Sequence, residues 1–315
     1  TYCYTFIFTI IRTTAHKRII SMIAAGAMTL SFMSCSSDNS ENKSVAVGTG
    51  EEVVVATSVA VTEILDALGV KVSGVPSTSY ELPESTEGAV EIGNPMSPDL
   101  EIIKSLNPTV VVSVDTLGSD YMNLFIENNI PSEFVSLESL DGLKEAIISL
   151  GERFDKDDEA TALINEIQAK ELEVQEKAAS LEDTDVLVLF AAPGSTMIAT
   201  SKSYIGSLVE LVGGKNIIED NSTSFTTYNK EDLAMLNPDK ILVMVHALPE
   251  ETKVALEAEM ATDSAWQNID AVKEGNVVYL DSEYFGMSAN LKVIEGLDML
   301  SDIVHSKIFK IGRAH

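Results

Sequence analysis

The sequence predicts an α/β protein with two Rossmann-like lobes, each built on a central parallel sheet, with one long backbone helix joining them and a ligand cleft between them. Three observations carry this prediction. From Val53 onward, short strand-like runs alternate with amphipathic helical segments. A segment of the first half recurs in the second half, and an uninterrupted helical stretch separates the halves. At 315 residues the chain is also long enough for two domains.

Strand and helix patterns follow one another in both halves. After Glu52 comes a buried-strand pattern, "VVVA", and then "VTEILDALG", whose apolar residues have helical spacing and whose Gly69 is typical of a helix end. Later strand patterns of the first half are "KVSGVP", "TVVVSV" and "PSEFVSL". The second half runs through "DVLVLFAAPG", "YIGSLVELVGG", "DKILVMVHALPEE" and "NVVYLD", and ends in a helix near residues 287–306. We interpret "AAPGS" as a turn from a strand into a loop.

The linking helix is predicted over residues 156–182, "KDDEATALINEIQAKELEVQEKAASLE". This stretch has no Gly or Pro and is rich in the strong helix formers Ala, Glu, Leu and Lys. About 25 residues at 1.5 Å per residue span roughly 35 to 40 Å, enough for a stiff strut between two lobes. The alternative is a solvent-exposed helix that belongs to one lobe.

The internal repeat pairs "EIIKSLNPTVVVSV" from Glu101 with "EDLAMLNPDKILVM" from Glu231, without gaps. Upstream, "EILDALGV" ending after Gly69 matches "SLVELVGG" around Gly213. Two copies predict two similar lobes. Because ligands of doubly wound sheets bind beyond the carboxyl ends of the strands, two such lobes predict a shared cleft.

Both chain ends differ from the body. Basic Lys17 and Arg18 precede an apolar run, small residues and Cys35, which is the layout of a bacterial export signal whose cysteine becomes lipidated. A plain signal peptide or an uncleaved anchor is the alternative. The predicted domains are a signal peptide over 1–35 whose first 15 or so residues are doubtful, a polar tether over 36–50, an N-terminal lobe over 51–155, the linking helix over 156–182, a C-terminal lobe over 183–306, and a tail over 307–315 that resembles a non-native addition.

The charge balance argues against nucleic-acid binding. The chain has 21 basic and 49 acidic residues, a formal net charge of −28. Such a surface repels phosphate backbones and anionic headgroups. Of the two cysteines, Cys3 and Cys35, neither lies in the body, so no disulfide or thiolate metal site is expected there.

Sequence motifs of enzymes are missing. The chain has no phosphate-binding glycine loop, no G-x-S-x-G and no H-E-x-x-H, and its carboxylates show no paired arrangement that stands out from a solvated acidic face. We therefore expect no enzymatic activity. Arginine is scarce, so no guanidinium cluster is expected to hold an anionic ferric chelate.

Two residues are candidate ligands. His246, the one histidine in the body away from the last helix, directly follows the strand "KILVMV", and Met96 lies on the loop before the helix of the first repeat copy. A methionine at such a place more often packs than binds a metal, and an imidazole can stand there by chance. As a pair from opposite lobes, however, a thioether and an imidazole suit the two axial positions of haem iron.

Further candidates are polar groups at helix starts. Ser58 and Val59 open the first helix, and Thr78, Ser79 and Tyr80 lie in "PSTSYELP"; hydroxyls and helix N-terminal amides there suit haem propionates, while N-capping and turn formation explain them equally well. Glu101 and Glu231 stand in the first turns of the repeated helices. Helix-dipole complementarity explains each of them, and docking onto a two-fold partner with basic residues explains their symmetry.

Residues 50–306 resemble the substrate-binding lipoproteins of ABC importers that have a helical backbone, which serve haem, cobalamin and ferric siderophores. The segments that carry the resemblance are "EIGNPMSPDLE", "PGSTMIATSKSYIGSLVELVGGKNII", "VHALPEE" and "NLKVIEGLDML" with "YFGMSA" before it. Within that group the chain is most similar to the haem-binding lipoproteins of iron-regulated surface determinant systems. The resemblance implies haem ligation by Met96 and His246, and contact with the permease through Glu101 and Glu231.

Taken with the resemblance, the sequence predicts a monomeric, exported lipoprotein, anchored to the cell membrane through Cys35, that captures haem and delivers it to an ABC permease with its ATPase. Two alternatives stay open. The same fold would also suit cobalamin or a ferric siderophore, against which the scarcity of arginine counts. A haem- or porphyrin-modifying enzyme on the same scaffold is the second alternative.

Overall fold

Two α/β lobes make up the part of the chain that a computed structural model describes, residues 52–218 and 222–306, and both fall within one compact unit. The signal peptide, Cys35, the tether and the tail lie outside these residues. In the described ranges no helix combines the length and hydropathy that a bilayer crossing requires.

The first lobe contains seven strands and four helices. Its strands are β1 (Val54–Ala56), β2 (Val72–Val75), β3 (Val90–Glu91), β4 (Gly93–Asn94), β5 (Ser97–Pro98), β6 (Val110–Val114) and β7 (Ser132–Val135). Its helices are α1 (Val59–Ala67), α2 (Leu100–Ser105), α3 (Ser119–Glu127) and α4 (Leu140–Arg153), with a 3-10 turn at Glu84–Thr86. Five strands form a parallel sheet in the order β3-β2-β1-β6-β7, while β4 and β5 form a separate hairpin. Since β1 and β6 are covered on both faces, their residues are all valine except Ala56 and Ser113.

The second lobe is built on a six-stranded sheet. Its strands are β8 (Thr184–Ala192), β9 (Ser195–Ala199), β10 (Gly214–Asn216), β11 (Phe225–Thr226), β12 (Lys240–Val245) and β13 (Val277–Tyr279). Its helices are α6 (Tyr204–Leu211), α7 (Lys230–Leu236), α8 (Pro249–Thr262), α9 (Asp270–Glu274) and α10 (Val293–His305), with a 3-10 turn at Trp266–Asn268. Strands β10, β12 and β13 run parallel to β8 or to each other, as expected, but β9 and β11 add antiparallel pairs.

The antiparallel pairs correct the interpretation of "AAPGS". A strand, β9, follows the turn, so the segment is a hairpin and not a passage into a loop. Gly194 adopts a φ of 73°. Glycine reaches this left-handed region without a steric penalty, which permits the tight reversal between Ala192 and Ser195.

The linking helix α5 spans Asp157–Ala178, 22 residues or roughly 33 Å, and so ends earlier than residue 182. The backbone N–H groups of Ser180 and Leu181 bond to carbonyls three residues back, which tightens the last turn and ends the helix without a glycine. One side of α5 buries Ala160, Ile167 and Val174.

Contacts with both lobes distinguish α5 from a helix that belongs to one lobe. Lys144 of α4 pairs with Glu171 at 3.1 Å, and Lys170 and Lys177 pair with two aspartates of α10 at 2.8 Å. A Cβ on Gly151 would lie 2.6 Å from the Ala160 Cβ, so α4 and α5 approach closely at that glycine. The helix therefore acts as a packed strut.

The sequence repeat is also a structural repeat. Asp99 caps α2 and Asn229 caps α7, each by accepting a hydrogen bond from the backbone N–H of the repeat glutamate. Asn107 and Asn237, which end the two helices, adopt left-handed φ values of 51° and 45°. Asparagine tolerates this conformation better than most residues, which explains its presence in both copies. The following strands, β6 and β12, occupy inner positions in their sheets.

Candidate functional site

Ligands of folds with parallel sheets bind beyond the carboxyl ends of the strands, so the candidate cleft is expected at that edge of both sheets. Among the described residues, three polar contacts between the lobes stand out. Tyr80 and Ser282 share a hydroxyl–hydroxyl hydrogen bond of 2.9 Å. The Ala289 backbone N–H donates to the Leu137 carbonyl at 2.8 Å. The third is an ion pair of Lys292 with a glutamate of α1 at 3.8 Å.

Met96 occupies the turn of a small hairpin. Asn94 of β4 stands opposite Ser97 of β5, so Pro95 and Met96 are the two turn residues. The Asn94 side-chain oxygen accepts a hydrogen bond from the Met96 backbone N–H at 2.9 Å. Met96 is 63% exposed. The thioether is therefore accessible to a ligand rather than packed in the core, where methionines usually lie.

A chain of buried hydroxyls lies behind this turn. The Tyr121 hydroxyl donates to the Pro95 carbonyl at 3.3 Å, and the Ser113 hydroxyl donates to the Tyr121 oxygen at 3.2 Å. Ser113 and Thr57 share a further hydrogen bond of 2.6 Å. The chain ties the exposed turn of Met96 to the middle of the first sheet.

His246 directly follows β12, the position that the sequence indicated. Its backbone N–H donates to the Ala191 carbonyl at 2.8 Å, and its ring stacks on Phe190 with centroids 5.6 Å apart. Ala247 and Leu248 adopt left-handed φ values of 62° and 42° and lead into α8. His246 is exposed, so an imidazole nitrogen is available at the carboxyl end of the strand.

The hydroxyls at the start of α1 and in the following turn have local partners. The Ser58 hydroxyl caps α1 by accepting from the Val61 backbone N–H at 3.3 Å, and Val59 is the first residue of that helix. In the turn, the Thr78 hydroxyl accepts from the Tyr80 backbone N–H at 3.1 Å. Capping and turn formation therefore account for these two side chains.

Ser79 and Tyr80 are exposed in the same turn. The Tyr80 hydroxyl reaches Ser282 of the second lobe, as described above, and the tyrosine ring stays 44% exposed. This part of "PSTSY" therefore borders both lobes, whereas Ser58 and Val59 belong to the first lobe alone.

The repeat glutamates occupy equivalent helical positions and have different surroundings. Glu101 pairs with Lys104 of its own helix at 2.7 Å, and its side chain is 85% exposed. In the second copy Ala234 stands where the first has Lys104, so the same helix offers Glu231 no lysine one turn on. Both carboxylates face solvent.

Ionisable groups at the join between the lobes perturb one another. Lys292 contacts Glu63 of α1 and, more closely, Glu283. Burial raises the pKa of Glu63, and the positive charge of Lys292 partly opposes this shift. The pKa of Lys292 is also raised despite partial burial, because Glu283 and Glu63 stabilise its charged form.

The one arginine in the described ranges, Arg153, is engaged away from the cleft. It pairs with Glu52 at 3.1 Å and with Glu133 at 3.9 Å, and its guanidinium lies 5.0 Å from the ring centroid of Phe154. Among the described residues no three His, Cys, Asp or Glu side chains form a metal-binding cluster.

Three cavities lie elsewhere in the described residues. Their volumes are about 640, 530 and 320 Å³, and neither Met96 nor His246 lines any of the three. The cavity of 530 Å³ is bordered by the β8–β9 hairpin and α8. Strand β8 of this hairpin carries the Ala191 carbonyl that accepts the hydrogen bond from the His246 backbone. The two candidate ligands therefore lie outside these three cavities.

Tyr121, Asn94 and Phe190 support the two candidate ligands, and the sequence did not point to them. The serine inside "TVVVSV" was the available signal, because a polar residue within a buried strand requires a partner. Nothing in the sequence identified Tyr121 as that partner.

Comparison with known proteins places the chain in a family. Residues 54–284 match the model described as "Periplasmic binding protein". The high-affinity heme uptake system protein IsdE of Staphylococcus aureus is 34% identical over 273 residues, covering 86% of this chain and 92% of that protein.

Solved structures agree with this result. An ABC transporter substrate-binding protein from Listeria monocytogenes superposes with a TM-score of 0.77 at 37% identity, covering 81% of this chain and 99% of that one. S. aureus IsdE complexed with heme gives 0.77 at 34% identity, covering 82% and 100%. Family members are transport components and not enzymes, as the lack of catalytic motifs predicted. The chain belongs to the periplasmic binding protein family, as the extracytoplasmic substrate-binding component of an ABC transporter.

Proposed function

We propose that this protein captures haem between its two lobes, with Met96 and His246 as axial ligands, and delivers it to an ABC permease for iron uptake. The main support is one observation. The chain has two exposed side chains of the required chemistry on different lobes, Met96 on the hairpin turn and His246 at the end of β12, in a chain 34% identical to a heme uptake protein.

The chemistry of the pair suits haem better than a bare metal ion. A thioether and an imidazole fill two axial positions, while the porphyrin supplies the remaining four donors. Bare zinc or manganese would need several imidazole or carboxylate ligands, and the described residues contain no such cluster. Stacking on Phe190 fixes the plane of the His246 ring, so little rotational freedom is lost when the iron binds.

The haem propionates would lie against the first lobe. Ser58, Val59, Thr78, Ser79 and Tyr80 are the proposed contacts. The hydroxyls of Ser58 and Thr78 already accept hydrogen bonds, but each can still donate one. These hydroxyls and the backbone N–H groups at the start of α1 would donate hydrogen bonds to the propionates.

Docking and anchoring complete the proposal. Glu101 and Glu231 would meet basic residues of the permease, one from each lobe. A lipid on Cys35, which lies outside the described residues, would tether a monomer to the outer face of the cell membrane. The lobes would comprise residues 51–155 and 183–306, with residues 156–182 between them.

Absorbance spectroscopy of the purified protein with haemin tests the proposal. We expect 1:1 binding with low-spin, six-coordinate bands that are lost in both Met96→Ala and His246→Ala. Met235→Ala is the matched control, because Met235 is an exposed methionine, 84% accessible on α7, that the proposal does not assign to the haem site. Unchanged spectra in both ligand variants would refute the axial assignment. Tighter binding of cyanocobalamin or a ferric siderophore than of haemin would show that haem is not the transported ligand.

A further inference from the structure

We infer that Tyr121 is a positioning residue for Met96, and that the buried hydroxyls of Thr57, Ser113 and Tyr121 hold the turn that presents the thioether to the iron. The inference rests on the proposed haem ligation by Met96.

The turn of Met96 needs support from outside the hairpin. Strands β4 and β5 contribute two residues each and do not join the five-stranded sheet. A two-residue strand pair has little stability of its own. Asn94 holds the Met96 backbone from within the hairpin, and the Tyr121 hydroxyl holds the Pro95 carbonyl from outside it.

Tyr121 is itself held in place. It is 7% exposed on α3, and its ring packs against Phe125 with centroids 5.3 Å apart. Its hydroxyl oxygen accepts from Ser113 while its proton goes to Pro95. Because the ring is fixed by packing and the hydroxyl by two partners, the carbonyl before Met96 has a defined place relative to the sheet.

The second repeat copy shows that a sheet of this design does not require the Ser113 hydroxyl. In the gapless alignment Val243 stands at the position of Ser113, and both side chains are fully buried. An aliphatic residue therefore fills this place in a sheet of the same design. A buried hydroxyl is costly unless it is hydrogen-bonded, so a serine at this strand position in the lobe that carries Met96, and a valine in the other lobe, points to a role at that turn.

The role of Tyr121 predicts a specific weakness in the variant Tyr121→Phe. Without the hydroxyl, the Pro95 carbonyl loses its link to the core and the thioether competes less well for the iron. His246 still binds from the other lobe, so haem remains bound. We expect added imidazole to displace Met96 at roughly 3- to 10-fold lower concentration, the effect of losing one hydrogen bond. The reduction potential should fall, since a thioether ligand raises it.

The test is an imidazole titration of the haemin-loaded protein, followed by absorbance, with the potential measured in parallel. Tyr204→Phe is the control, because Tyr204 is 2% exposed in the second lobe and away from Met96. In the background of Met96→Ala, the change Tyr121→Phe should have no further effect on imidazole binding. Equal imidazole affinity in Tyr121→Phe and Tyr204→Phe, or an additive effect in the double variant, would overturn the inference.

A second variant covers the case in which Tyr121→Phe does not fold. Ser113→Val introduces the residue of the second copy and removes the next link of the chain, so imidazole affinity should rise in the same direction and by less. No change in Ser113→Val would then count against the inference. If the unaltered protein gives no low-spin haem spectrum, the proposed function itself fails, which is a separate outcome.

Discussion

The two repeat copies have nearly the same backbone and different chemistry. In each, a capped short helix carries the repeat glutamate in its first turn, and a left-handed asparagine after the helix leads toward an inner strand. The proposed ligands do not follow this symmetry. Thr116 stands at the position of His246, and Thr226 stands five residues before Glu231, as Met96 does before Glu101.

This difference shows how a duplicated scaffold can hold an asymmetric ligand set. Both lobes present loops at the carboxyl ends of their strands, and each lobe places a different donor there. Four experiments test how the two lobes differ, and the first concerns the donors themselves.

His246→Ala should weaken haem binding by about 1000-fold and Met96→Ala by about 30-fold, because ferric iron binds an imidazole more strongly than a thioether. Titration of each variant with haemin, with Met235→Ala as the control, measures the two losses of haem affinity. Equal losses from the two lobes would contradict the ranking.

The strut approaches the two lobes through different glycines. A Cβ on Gly213 would lie 2.7 Å from the Ala178 Cβ, and Gly213 has a φ of 86°. Gly213→Ala combines steric overlap with backbone strain and should lower the free energy of unfolding by about 3 kcal/mol. Gly151→Ala has overlap alone and should cost about 2 kcal/mol.

Urea unfolding measures both glycine variants. Gly88→Ala is the control, because Gly88 has a φ of 89° and nothing within 4 Å of an added Cβ. It should cost about 1 kcal/mol from strain alone. A cost for Gly213→Ala no larger than that of Gly88→Ala would mean that α5 does not pack tightly on the second lobe.

The docking glutamates should contribute unequally. Lys104 already pairs with Glu101, whereas Ala234 leaves Glu231 without a lysine one turn on, and Lys230 of the same helix pairs with Glu259 and Asp263 instead. We expect Glu231→Gln to slow haem delivery to the reconstituted permease about tenfold and Glu101→Gln about threefold, with haem affinity unchanged. In the background of Lys104→Ala, the effects of the two glutamate variants on the delivery rate should become more similar. Equal effects of the two glutamate variants would show that the ion pair breaks at no cost on docking.

The smallest effect concerns pH at the join between the lobes. Burial raises the pKa of Glu63 in the folded protein above 4.5, so the folded state binds a proton that the unfolded state releases. The charged Glu63 therefore destabilises the folded state at a pH above its raised pKa. This penalty disappears as the pH falls from that pKa to the pKa of Glu63 in the unfolded chain. Glu63→Gln should flatten this part of the curve of melting temperature against pH. An unchanged slope would contradict the assigned cause.

Much of the scaffold was predictable because it is encoded locally. Valine runs predict buried strands, the Gly-free stretch predicts α5, and the repeated Asn-Pro after a short helix predicts two copies of one unit. The hairpin β8–β9 was missed because a two-residue turn and a loop begin with the same residues. The end of α5 was misplaced because its last turn closes through backbone hydrogen bonds that composition does not specify.

Local patterns in the sequence predicted the fold class, the two copies, the placement of His246 directly after a strand and the matching positions of Glu101 and Glu231. Three other features depend on how the chain packs: Met96 is exposed on a hairpin turn, Tyr121 bonds the carbonyl before it, and Tyr80 reaches the other lobe. The reason is physical: periodicity and capping act between near neighbours in the chain, whereas these contacts join residues separated by 26 and 202 positions and exist only once the lobes are packed.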